Sequence, residues 1–112
     1  MLHEADDFLA ECDALAEVLA RLSPADWARP TLFKEWTAND VMVHLHYWNE
    51  AADLSLTDDA AFVAFYREMA ADVKAKGRRA AENARVTARG SELLALWHDY
   101  AGNMAARWRT LD

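Results

Sequence analysis

A chain of 112 residues with 54% hydrophobic residues amounts to one domain, long enough to bury about two thirds of its unfolded surface. Its net charge of −7 argues against a nucleic-acid partner, since phosphate binding needs a basic face. One cysteine rules out an internal disulfide or thiol pair, and neither an apolar run of about 18 residues nor a basic leader is present, so a cytoplasmic chain without membrane contact is expected.

Abundant alanine, with only three glycines and two prolines, favours helix, and five tryptophans supply a large apolar area. The first helix is predicted over residues 2–22. Leu9, Cys12, Leu15, Leu19 and Leu22 recur there at three- and four-residue steps, with Phe8, Ala16 and Val18 widening the stripe. Cys12 lies in that row and reads as a small core residue rather than a nucleophile. His3 sits near a fraying end and carries no functional weight. Ser23-Pro24-Ala25-Asp26-Trp27 has the form of a cap, a first-turn proline and one short turn, with Trp27 packing over the bundle end. Pro30-Thr31 opens a connecting segment. Its Phe33 and Trp36 either wall a pocket or close the end of the bundle.

A central helix is predicted over 37–56, with Thr37 as N-cap and Asp40 in its first turn. At about 100° per residue Val41, Leu45, Trp48 and Ala52 share one stripe that should face the core. His44 falls about 60° from its centre, whereas His46 points to the opposite side and toward water. Asp40 lies one turn before His44, within reach of the ring's second nitrogen. His44 has two readings: a half-buried histidine satisfied by a neighbour, or a metal ligand. One histidine makes no site by itself, because catalytic zinc takes about three protein ligands.

Thr57-Asp58-Asp59 starts a third helix over 59–76, with Phe62, Phe65 or Tyr66, Met69 and Val73 at helical spacing and Gly77 as its stop. Lys74, Lys76, Arg78 and Arg79 read as a complement to the helix C-terminus rather than a binding patch. Residues 78–89 are rich in alanine and arginine with weak periodicity, and both a polar helix and a tether stay open. Gly90-Ser91-Glu92 begins a last helix over 91–111, striped by Leu93, Trp97, Tyr100, Met104, Trp108 and Leu111. His98, beside Asp99, falls on the far side and reads as solvated. There is no strand pattern, repeat, Gly-rich phosphate loop or Ser/His/Asp arrangement. An all-α, up-and-down four-helix bundle spanning 1–112 as a single domain is the simplest architecture.

Leu22-Ser23-Pro24-Ala25-Asp26-Trp27, Pro30-Thr31, Glu35-Trp36-Thr37, Asp40-Val41 and His44-Leu45 together resemble the opening of the DinB/YfiT-like superfamily. More closely they resemble its mycothiol-dependent maleylpyruvate isomerase N-terminal branch. The likeness runs on through Asn49-Glu50-Ala51-Ala52 and the Leu93 to Leu111 helix. It implies a four-helix bundle with a divalent metal, zinc or nickel, bound by three side chains, and a thiol such as mycothiol, or a water, activated for work on a small-molecule substrate. A metal does this by lowering the thiol pKa directly.

His44 matches the family's first ligand. The resemblance puts the remaining ligands on a later helix, as Glu or His one turn before a further His, and places that helix beyond Asp112. The chain is therefore expected to be a fragment, a shortened relative without a complete site, or one partner of a site shared with a second chain. Part of the Leu93 to Leu111 stripe would then need cover, and a homodimer is expected. Two functions follow. One is a thiol-dependent metalloenzyme in which His44 binds the metal while Phe33, Trp36, Tyr47 and Trp48 shape the pocket mouth. The other is a non-catalytic dimeric helical module that has lost the metal site.

Overall fold

The computed structural model describes residues 3–111, so Leu2, the expected first helical residue, lies outside the described residues. The chain is all-α. Among the described residues it forms α1 (Glu4–Leu19), α2 (Pro24–Ala28), α3 (Ala38–Thr57), α4 (Asp59–Lys76), α5 (Arg78–Arg85) and α6 (Gly90–Arg109), with no strand. The alanine- and arginine-rich stretch left open between helix and tether is thus a two-turn helix, α5. None of these helices is long and apolar enough to cross a membrane.

The chain gathers into two compact units, one of residues 1–39 with 88–112 and one of 40–87. In the first, α1 packs along α6, and α2 touches α6. Ala5, Leu93, Ala101 and Ala105 are fully buried, and Cys12, Leu19, Trp27, Trp97 and Met104 complete the core. Small residues here let two helix backbones approach while Trp97 and Met104 fill the volume between them. The two helices run antiparallel, since their partners pair in opposite order. Arg109 donates to Asp6 at 2.7 Å, Phe8 stacks on Trp108 at 6.1 Å, and His98 Nε2 meets Asp13 Oδ1 at 2.7 Å. His98 is therefore tied to α1 rather than simply solvated.

Ser23 caps α2 in a full capping box, its hydroxyl accepting from the Asp26 N–H and the Asp26 carboxylate accepting from the Ser23 N–H. At the same end of this unit Gly90 N–H donates to the Asn39 side-chain oxygen at 2.8 Å, which satisfies an otherwise orphan amide of α6.

In the second unit Tyr47 and Phe65 meet at 5.1 Å between ring centroids, with Met42, Val43, Ala51, Ala81 and Val86 buried in the same unit. Phe65, not Tyr66, is the α4 aromatic that enters the core, for Tyr66 is 55% exposed. Asp58 caps α4 by accepting from Ala61 N–H. Gly77 ends α4 at φ 87° and ψ 161° and is the single residue between α4 and α5. That conformation is open almost only to glycine, so the turn that places α5 depends on it.

The phase expected for α3 needs correction. Val41, Leu45, Trp48 and Ala52 are not its buried stripe: Val41 is 37% exposed and the other three are half-buried. Burial falls instead on Asp40, Met42, Val43, His46, Tyr47, Ala51 and Asp53, centred on the opposite side of the helix. The reason is compositional. Apolar residues lie all round α3, so the phase is weakly set, and Tyr47 buries its ring against Phe65 despite a polar tip. His46, expected in water, is 7% exposed and its Nδ1 is sealed from solvent.

Candidate functional site around His44

His44 projects from the second turn of α3, its side chain 34% exposed. Its Nδ1 stands 2.8 Å from Oε1 of Glu82, on the face of α5 turned to α3. The other oxygen of that carboxylate, Oε2, accepts from the Trp48 indole N–H at 2.9 Å. Trp48 lies one turn beyond His44 on α3, so two side chains of one helix face converge on one acid of another. Glu82 is only 2% exposed. A carboxylate withdrawn that far from water is retained only when donors and a potential cation surround it.

Asp40 does not hold the His44 ring, contrary to the expectation from their spacing. It accepts from Arg79 at 2.7 Å, and the planar, always-charged guanidinium competes for it better than an imidazole one turn away. Arg85, on the same face of α5, donates to Glu50 at 2.8 Å, reaches Glu68 at 3.4 Å and lies 4.5 Å over the Phe65 ring. The hydrogen bond to Glu50 is the main reason its pKa is raised. Burial pushes the Tyr47 hydroxyl up and the His46 imidazole down.

Beside the His44–Glu82 pair an open cleft of about 560 Å³ is lined by Asp40, Lys76, Gly77, Arg79 and Asn83 among others. His44 is not among its lining residues. The expected pocket mouth also needs revision. Tyr47 is 2% exposed and belongs to the core. Trp48 serves the Glu82 carboxylate instead. Phe33 is 62% exposed and packs edge to face on Trp36 at 5.8 Å, in a turn where Lys34 and Glu35 take positive φ. That turn closes through Trp36 N–H to Phe33 C=O at 2.8 Å and Thr31 N–H to Trp36 C=O at 2.9 Å.

Chemically, a histidine with one nitrogen on a carboxylate presents its other nitrogen as a donor to a metal or a proton. The family model for the mycothiol maleylpyruvate isomerase N-terminal domain matches residues 8–112. The chain belongs to that family. Neither a curated protein nor a solved structure matches it.

A divalent metal of the kind this isomerase family implies can be tested against the donors present. His44 suits one position, with a carboxylate behind its ring. No group of three or more His, Cys, Asp or Glu able to hold a metal occurs among the described residues. Asp40 is engaged by Arg79, and both oxygens of Glu82 are already engaged, one by His44 Nδ1 and one by the Trp48 indole N–H. The described residues therefore do not fit a complete metal centre. Glu82 escaped the reading of the sequence because its segment has no periodic signal. One clue existed: it is the only acid among residues 78–89, which carry four arginines.

Proposed function

We propose that this chain is the helical domain of a thiol-dependent enzyme of the maleylpyruvate isomerase type. Its substrate is a small molecule, its cofactor is mycothiol or a similar thiol, and His44 is this chain's one donor to a divalent metal. The observation that carries the reading is the 2.8 Å contact between His44 Nδ1 and a buried carboxylate, with family membership behind it. With Nδ1 on that carboxylate, Nε2 is the nitrogen through which the ring would serve a metal. Further donors to the same ion would come from outside residues 3–111.

A second reading is a non-catalytic helical module, favoured by the incomplete donor set. Calorimetric titration of the protein with zinc and with nickel separates the two, run beside His44→Ala. Stoichiometric binding that weakens at least tenfold (about 1.4 kcal/mol) in the variant supports the enzyme reading. Absence of binding, or equal binding in both proteins, leaves the module.

A further inference from the structure

We propose that Glu82 is the positioning residue of His44, fixing its neutral ring in the Nδ1–H tautomer, and that Trp48 locks the carboxylate in the pose that does so. The use of Nε2 as a donor rests on the reading above. The tautomer rests on the hydrogen-bond chain with Glu82 as a carboxylate, independently of any metal.

An ionised carboxylate accepts and never donates, so the His44 nitrogen 2.8 Å from Oε1 carries a proton. A neutral imidazole holds one proton, and Nε2 is then left with its lone pair. The carboxylate is kept from swinging away by the indole N–H, a donor with no acceptor capacity, at 2.9 Å from Oε2. Burial of Glu82 to 2% exposure, against 34% for the His44 side chain, puts the anchored end of the pair inside and the ring at the boundary.

Replacement of the acid by its amide turns the same geometry around. In Glu82→Gln the indole still only donates, so the amide oxygen faces Trp48 and the NH2 group faces His44. Nδ1 must now accept, and the ring proton moves to Nε2. The lone pair is then turned away from any ligand beyond the ring. Retention of the fold with inversion of the tautomer is an outcome that simple packing of Glu82 does not produce.

The test is two-bond proton–nitrogen correlation spectroscopy of the imidazoles, at a pH well above the ordinary histidine pKa of about 6.5. The metal-free protein should show Nδ1–H for His44 and Glu82→Gln should show Nε2–H. Trp48→Phe alone should keep Nδ1–H. The double variant Trp48→Phe with Glu82→Gln frees the amide to turn and should show both tautomers. An Nε2–H signal for His44 in the parent overturns the proposal without needing any variant, as does a Glu82→Gln spectrum that matches the parent.

Zinc titration of the same samples tells the two readings apart. Where the parent binds zinc, Glu82→Gln should bind it about 10–100-fold more weakly. Equal affinity in the two overturns the positioning role. The predicted tautomers in a parent that takes up no zinc support the positioning and refute the metal reading instead.

Discussion

Replacing Trp48 by Phe removes one N–H from the Glu82 carboxylate and keeps an aromatic ring in place. The loss can be worked from the site. Hydrogen bonds to charged groups contribute about 1.5–3 kcal/mol, and this one serves an acid that is 2% exposed. Shrinking a half-buried ring adds roughly 0.5–1 kcal/mol at about 25 cal/mol per Å². The sum is about 2–4 kcal/mol. With an unfolding entropy of about 2.1 cal/mol/K per residue, 112 residues convert that into a Tm lowered by roughly 8–17 °C. Urea titration followed by far-ultraviolet circular dichroism measures it, with an unchanged slope showing that the same surface is exposed on unfolding. In a Glu82→Gln background the indole still donates, but to a neutral amide oxygen instead of a carboxylate, so the substitution there should cost about 1 kcal/mol less. A loss no larger than the ring-area contribution, or the same loss in both backgrounds, would show that the indole is not holding a buried charge.

His46 gives a pH signature. Burial lowers its pKa, so as pH falls below about 6.5 the unfolded chain takes up a proton that the folded chain refuses. Stability then drops by up to about 1.4 kcal/mol per pH unit until the lowered folded value is passed, and it is fully present above the ordinary histidine range. His46→Leu should flatten this dependence, and a parent-minus-variant difference that is constant with pH would refute the assignment. Gly77→Ala tests the turn before α5: a Cβ there meets nothing within 4 Å, so the cost is backbone strain alone, about 1–3 kcal/mol in thermal unfolding, and a neutral or stabilising result would contradict the assigned φ.

The elements were largely legible because their signals are local. Ser23-Pro24 and Asp58 announce helix starts by chemistry acting within three residues, and the α6 stripe of Leu93, Trp97 and Met104 is buried because one face alone carries bulk. The α3 phase was not legible. When Val41, Met42, Val43, Leu45, Tyr47 and Trp48 surround a helix, hydropathy cannot choose a side, and the choice passes to which neighbours arrive. The site was half legible. His44 could be singled out by its place on α3 and by the resemblance, but Asp40, its nearest acid in sequence, is claimed by Arg79. The acid that does reach it is 38 residues away.

Register explains why that acid is Glu82. Arg79 meets Asp40, Glu82 meets His44 and Trp48, and Arg85 meets Glu50, at sequence separations of 39, 38, 34 and 35. Partners follow the same order along both helices, so α3 and α5 run parallel and pair turn by turn. Along α5 the contacts alternate in sign, Arg, Glu, Arg, at three-residue steps, which keeps all three on one face. The flanking arginines take Asp40 and Glu50 of α3 and leave the middle acid of α5 to the histidine and the indole. A slip of one turn would set Arg79 or Arg85 against His44 and like charges together. The two outer ion pairs, although partly exposed and individually weak, thus fix the position at which the buried carboxylate meets the ring.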